Sequence, residues 1–386
     1  MMRSRYPEMF GIRKFLQRIK VKRLSRYLLP EQEIKLCEKN PVKKKEIITP
    51  YLSRWEKYLK SSILEMEDIF ENAPMYKDRI DKEAIAVDMI FCRLAYGFIP
   101  SEYVCFEFEN KTPSERKKYV SDIDMNVFGY SVNNIRVLQN ILDKGDSYHM
   151  FSNYFKRDAL VIENEKDYSA FHKFIKKHPV FVKKVVFSSM GHGVELVDIK
   201  NKQIPEKEYF RELICSGKYL LEECVIQSSE MAKYNLSSVN TVRCFTFRTN
   251  RGIEVPWCFM RTGRGGAFVD NGGSGGLVIG IDAETGRVNT NGYDEYNNSY
   301  EKHPDTEVVF IGSRIPEWDD LINLCTRAAE KVEGIGYLSW DLAFTAEGWV
   351  VIEVNEVGQF IGPQMTMKRG IKAELRQYFN RMEKVI

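Results

Sequence analysis

The sequence is short of most of the signals that settle a function early. No apolar run approaches the roughly 18 residues needed to cross a bilayer, and the start lacks the apolar core of a secretory leader. Both absences predict a cytoplasmic protein. The eight cysteines (Cys37, Cys92, Cys105, Cys215, Cys224, Cys244, Cys258 and Cys325) form no CxxC pair and no metal-ligand spacing. Several lie in apolar runs, so they read as reduced core residues. There is no GxSxG elbow, no Walker A loop, no kinase HRD set and no Cys/His nucleophile context. Internal repeats and low-complexity tracts are also missing. The basic run is not interleaved with aromatics and the rest of the chain is acidic, which argues against a nucleic-acid partner.

What remains is the composition of an ordinary globular chain, 44% hydrophobic and 29% charged, with length for two or three lobes. The net charge of +3 is unevenly placed, because residues 1–50 carry 14 Lys and Arg against 5 Glu. The stretch Phe15 to Leu29 has a basic amphipathic pattern. It could touch an anionic membrane surface, although a solvated helix packed by one face is the commoner outcome.

Residues 1–140 read as helical, with apolar periodicity in Ile63–Phe70 and Ile85–Leu94 and breaks at Pro30, Pro41, Pro50, Pro74 and Pro100. Thr112-Pro113-Ser114-Glu115 has the form of a helix start. Beyond residue 144, short β-branched runs take over: Ala159–Ile162, Val180–Val186, Val194–Val197, Tyr219–Ile226, Thr241–Arg248, Ile253–Arg261 and Leu277–Asp282. Helices are expected at Tyr168–Lys177, Trp318–Val332 and Ile371–Met382. The fold class is α+β after a mainly helical N-terminal region, divided as 1–140, 141–220 and 221–386.

Four constellations carry chemistry. In the segment from Trp340 to Asn355, the turn Ala346-Glu347-Gly348 can close a three-residue hairpin loop with Gly348 left-handed. Asp341 then stands opposite Glu353, and Asn355 follows on the same face. Three oxygen side chains on one face suit Mg²⁺. The flanking residues are apolar on both faces, so these carboxylates should be buried. With no Lys or Arg close by in sequence, a metal is the expected partner.

The second constellation is Lys183-Lys184 at the end of an apolar strand, followed by Ser188, Gly191 and Gly193. A lysine and loop N–H groups in that order can grip nucleotide phosphates. The two lysines face opposite ways, so one alone can enter a site. The spacing to Gly191 favours Lys184, whereas the preceding apolar run favours Lys183. In the third, Glu222 and Glu223 near the end of an apolar strand suit a hinge whose backbone bonds an adenine edge. The fourth joins Arg243, Arg261 and Arg264 to a segment, 263–280, in which eight of eighteen residues are glycine. Such density suits backbone approaching a ligand, with the arginines clamping phosphate or carboxylate oxygens. His303, alone in a Pro-containing loop, reads as structural more readily than catalytic.

Taken in order, SVNTVR (238–243), RTGRGGAFVDNGGSGG (261–276), HPDT (303–306), IP.W (315–318) and SWDLAF…VIEVN (339–355) resemble the ATP-grasp superfamily. The branch they match best is the sugar-transfer-associated one. The likeness extends upstream through LDKGDSYHMFSNYFKRD (142–158) and GFIPSEYVCFEF (97–108). It implies two α+β lobes enclosing ATP, with 141–220 as the lobe bearing the lid loop and 221–386 as the lobe bearing the metal and substrate site.

By that resemblance ATP and Mg²⁺ are the cofactors. Lys183 or Lys184, Ser188, Gly191, Gly193, Glu222, Glu223, Val225 and Glu230 would hold the nucleotide. Asp341, Glu353 and Asn355 would hold the metal. Arg243, Arg264 and Asn355 would stand at the reacting phosphate or carboxylate. The implied activity is a carboxylate–amine ligase working through an acyl phosphate on small-molecule or glycan-linked substrates, in surface polysaccharide or related metabolite biosynthesis. Two alternatives stand beside it: a kinase acting on a hydroxyl, and a nucleotide-binding scaffold docking glycan enzymes at the inner face of the membrane.

Overall fold

A computed structural model describes residue 19 and residues 22–186, 193–201, 204–356 and 358–382. From Glu31 to Phe155 the described chain is helical, and the two periodic runs fall inside helices Glu56–Asn72 and Lys82–Tyr96. Thr112 caps its helix as expected: its hydroxyl accepts from Glu115 N at 3.3 Å, and the Glu115 carboxylate accepts from Thr112 N at 2.8 Å. Pro50 corrects the reading of it as a break, for it sits inside helix Lys43–Arg54. Ile48 on the same helix is buried, with Ile47, Tyr51 and Leu52 packed against the core. That packing outweighs the backbone bond a proline removes.

Of the basic N-terminal stretch, residues 15–18, 20 and 21 lie outside the described residues. In the remainder Lys22 and Arg23 are exposed, Leu29 is buried, and Leu24 and Leu28 pack against Ile123 and Val127. This is a helix end packed by one face. Among the described residues no helix is long and apolar enough to cross a membrane.

Among the described residues, twelve strands form two antiparallel sheets. The small sheet holds β1 (Ala159–Ile162), β2 (Val180–Val185), β3 (Val194–Asp198) and β4 (Tyr219–Glu223), in the order β1-β4-β2-β3. Phe181, Leu221 and Val197 on one face pack against Phe171 and Phe174 of helix Tyr168–Lys177 and Tyr209 and Phe210 of helix Glu206–Ser216. β4 stops at Glu223 rather than Ile226 and belongs to this sheet, so the sheet runs past residue 220.

The large sheet holds β5 (Thr241–Thr249), β6 (Gly252–Glu254), β7 (Cys258–Thr262), β8 (Leu277–Ile281), β9 (Val288–Tyr293), β10 (Ser299–Tyr300), β11 (Tyr337–Thr345) and β12 (Gly348–Asn355). Its order is β10-β9-β8-β7-β5-β11-β12, with β6 paired to β5. The expected single strand Ile253–Arg261 is divided into β6 and β7 around Pro256, which has no N–H for the ladder. One face of the sheet, through Phe245, Phe247, Phe259 and Tyr337, shares a core with the N-terminal helices and with Leu375 and Phe379 of helix Lys372–Met382. The other, through Cys244, Trp340, Leu342 and Val351, packs against helix Trp318–Glu330.

Candidate active site

The β11–β12 hairpin places Asp341 opposite Glu353 and Ser339 opposite Asn355, with Gly348 at φ 88°. The route to that register is unexpected. Thr345 pairs with Gly348, so the turn has two residues, Ala346 and Glu347, instead of three. The ladder then shifts between Leu342↔Val351 and Asp341↔Glu353, leaving Ile352 as an extra residue in β12. The short turn and the bulge offset each other.

Asp341 is 1% exposed. Its partners are cationic, which corrects the expectation of a metal as the partner that balances it. Arg243, directly across from it on β5, donates from Nε to Oδ1 and from Nη2 to Oδ2, both at 2.6 Å. Arg261 Nη2 on β7 lies 2.9 Å from Oδ2. Asn355 Nδ2 approaches the same oxygen at 3.5 Å. Burial alone would raise the carboxyl's pKa, but the guanidiniums of Arg243 and Arg261 hold it lowered to about 2.

Arg261 also lies 3.5 Å from Asp270 and donates to the Thr241 hydroxyl at 3.0 Å. Asp270 in turn accepts from Thr241 N at 3.0 Å and from its hydroxyl. Glu353 is the more open carboxylate, one third exposed, with Lys144 Nζ 3.4 Å away. Lys144 is the first residue of helix Lys144–Phe155, capped by Asp143, which accepts from Gly145 N and Asp146 N. Sequence reasoning missed this lysine. An Asp cap before a helix was the signal that would have placed it at a helix N-terminus.

The donor set fits a hard cation in residue type and in sharing one face. Glu353 and Asn355 would hold it. Asp341 would join by exchanging one of the donors that now fill its lone pairs.

On the small sheet Lys184 Nζ lies 2.6 Å from Glu222 Oε2. Glu222 is 3% exposed, and its other oxygen accepts from Arg157 Nη2 at 3.0 Å. Burial pushes the Glu222 carboxyl up, but Arg157 and Lys184 bring it below its ordinary value. Arg157 also donates to the Val351 carbonyl at 2.6 Å and the Ile352 carbonyl at 3.1 Å, so this face of the small sheet turns toward the large one. Lys183 points the other way, 2.5 Å from Glu195 and over the Tyr219 ring. Glu223 shares that outer face, accepting from Asp158 N at 3.0 Å, and is not brought to Lys184.

Ser188 and Gly191 lie outside the described residues. Gly193 has φ 72°, and a Cβ there would lie 2.7 Å from Val185 Cγ2, so the return into β3 requires glycine. After β4 the chain passes Val225 and the exposed Ile226 to the far end of β11, where Ser228 N donates to the Phe344 carbonyl at 2.7 Å. Glu230 follows in the exposed first turn of helix Ser229–Ala232, its carboxylate accepting from the Ser228 hydroxyl.

Arg264 is committed within the glycine-rich segment. It donates to the Gly275 carbonyl and the Tyr300 hydroxyl, each at 2.6 Å, and to Asp294 at 3.2 Å. Its bonds brace that loop and do not reach Asp341. His303 is fully buried; its Nε2 meets the Gly263 carbonyl at 2.8 Å and its Nδ1 accepts from Asp305 N at 3.2 Å. Both ring nitrogens are thereby engaged by backbone of the neighbouring loops. Beside this loop a cavity of about 600 Å³ is lined by Lys233, Leu236, Ser237, Gly265, Gly266 and Asp305.

Two facing antiparallel α+β lobes, one presenting a lysine–glutamate pair and the other an arginine–carboxylate cluster, make an ATP-grasp fold. The chain belongs to the sugar-transfer associated ATP-grasp family, whose model matches residues 125–380. No curated protein matches the sequence. Among solved structures, ATP-grasp ligase PsnB in complex with a phosphomimetic variant of its minimal precursor, Mg and ADP is similar at 14% identity and a TM-score of 0.41, covering 70% of this chain and 69% of that one. The D-alanine–D-alanine ligase of Coxiella burnetii is similar at 8% identity and a TM-score of 0.42, covering 67% and 64%. VanG D-Ala:D-Ser ligase of Enterococcus faecalis stands at 15% and 0.42, covering 68% and 67%. Values this low leave the family match and the site's own geometry as the ground for function.

Proposed function

We propose that the protein is a cytoplasmic ATP- and Mg²⁺-dependent ligase. It activates a carboxylate as an acyl phosphate and joins it to an amine or other nucleophile, in surface polysaccharide or related metabolite biosynthesis. The observation that carries this reading is Lys184 on the face of the small sheet turned toward the large one, which itself bears Arg243, Arg261 and Glu353, a set that can bind phosphate oxygens and a metal but offers no nucleophile of its own.

In this scheme a substrate carboxylate oxygen attacks the γ-phosphorus of ATP and ADP leaves. The amine then attacks the acyl carbon, releasing phosphate and a proton. Lys184 holds phosphate oxygens, and Arg243 and Arg261 orient the carboxylate and the transferring group. When bound at Glu353 and Asn355, Mg²⁺ neutralises phosphate charge.

The test is ADP and phosphate release from Mg·ATP against a panel of amino acids, amines and uronic acids, with mass spectrometry of the products. A condensed product with one phosphate per turnover is expected. A phosphorylated acceptor would replace the ligase by a kinase. Nucleotide binding with no turnover on any member would favour the scaffold.

A further inference from the structure

Two lobes that present a lysine and a carboxylate to one ligand need a part that fixes their separation. A single guanidinium stands where that part belongs. Arg157 is 4% exposed, in the link between helix Lys144–Phe155 and β1. It donates to Glu222 of the small sheet at 3.0 Å and to the carbonyls of Val351 and Ile352 of the large sheet at 2.6 and 3.1 Å.

Charge balance does not require this arrangement, because Lys184 already stands 2.6 Å from Glu222. Backbone geometry does not supply it either. Consecutive carbonyls of a regular edge strand point to opposite sides, so only one could meet Arg157. The extra residue at Ile352 turns both outward. Bulge and guanidinium are therefore matched. Glu353 is the next residue along β12, and Lys184 is one ion pair beyond Glu222.

We infer that Arg157 is a positioning residue that sets the gap between Lys184 and Glu353, and so the space for a nucleotide's phosphates and their metal. The inference rests on the reading of Lys184 as a phosphate ligand and Glu353 as a metal ligand. Arg157 touches neither nucleotide nor metal; it acts through the bulge on one side and Glu222 on the other. Lysine at this position would keep the charge but lose the planar fork that meets a carboxylate and two carbonyls together.

The test uses the full chain carrying Arg157→Lys, with its melting temperature recorded first. Mg·AMPPNP is titrated calorimetrically, and Mg²⁺ is titrated at fixed AMPPNP. Half-saturation by Mg²⁺ should rise about tenfold or more, the usual consequence of losing a group that orients a metal ligand. A lowered melting temperature with unchanged half-saturation would mean a merely structural role and would overturn the proposal. Deleting Ile352 attacks the same coupling from the other side and keeps Asp341 opposite Glu353. The same rise is expected there, and unchanged binding would overturn the proposal even if Arg157→Lys did not fold.

Lys184→Ala and Glu353→Gln go through the same titrations. If either binds as the natural protein does, the underlying site reading fails. If both weaken binding while Arg157→Lys does not, only the positioning role fails.

Discussion

Lys184 and Glu222 lie 2.6 Å apart on adjacent strands of the small sheet, on the face turned toward the large sheet, while Lys183 turns away to Glu195. Lys184→Ala should therefore weaken Mg·ATP binding by roughly 10- to 100-fold, the range of one charge-assisted hydrogen bond. Lys183→Ala should stay within about twofold, since its partners are on the outer face. Equilibrium titration with a fluorescent ATP analogue separates the two. A larger loss from Lys183→Ala would reverse the assignment.

The Asp341 carboxyl is lowered to about 2 in the folded chain from an ordinary value of 3.8. A depressed folded value means stabilisation that is fully present above the ordinary value and lost as pH falls through 2. The amount is on the order of 2 kcal/mol. Glu222 shifts in the same direction and adds to the acid loss. Urea midpoints measured from pH 5 to pH 2 should fall more steeply for the natural chain than for Asp341→Asn. That variant should also start lower at neutral pH by about 3–5 kcal/mol, because it strands the buried guanidinium of Arg243 and leaves Arg261 with Asp270 and Thr241 alone.

Glycines of the 263–276 segment do not all serve one purpose. A Cβ on Gly276 would collide with the Asp270 carbonyl, whereas one on Gly265, at φ 61°, would meet nothing within 4 Å. Gly276→Ala should shift the Asp270 anchor of Arg261 and cost about 1–3 kcal/mol by overpacking. Gly265→Ala should cost no more than about 1–2 kcal/mol, from backbone conformation alone. Thermal unfolding of the two variants should rank them in that order.

Thiol titration offers a check on the packing. Of the eight cysteines only Cys215 is exposed, and Cys224 is intermediate. An aromatic disulfide reagent should label one thiol quickly and a second slowly under native conditions, and all eight after denaturation. Rapid native labelling of Cys244 or Cys258 would contradict the core that joins β5 to helix Trp318–Glu330.

Local pairings were legible from the chain, and distant ones were not. β1 and helix Tyr168–Lys177 match their expected bounds, because apolar spacing inside a short segment determines both. Asp341 and Glu353 face each other as expected, although through a short turn and a bulge that no local pattern signals. The guanidinium that balances Asp341 comes from 98 residues away, on a strand whose adjacency depends on the whole sheet. A search of sequence neighbours for a cation could not find it. Arg157 was invisible for the same reason: a single arginine after a helix says nothing until the bulge it meets is in place. β9, with Val288-Asn289-Thr290-Asn291-Gly292-Tyr293, has no strand signature and is recruited by its neighbours.

β12 is the outermost strand of the large sheet on one side, and β10 closes the other with only Ser299 and Tyr300. Helices Ile135–Leu142 and Lys144–Phe155 lie along β12, and Arg157 takes the two carbonyls its bulge turns outward. Among the described residues the two borders are covered unequally: helices and Arg157 line β12, whereas β10 pairs only with Gly292 and Tyr293 of β9. The β12 border is thereby closed to the addition of a further strand where Arg157 takes its carbonyls and the helices lie along it.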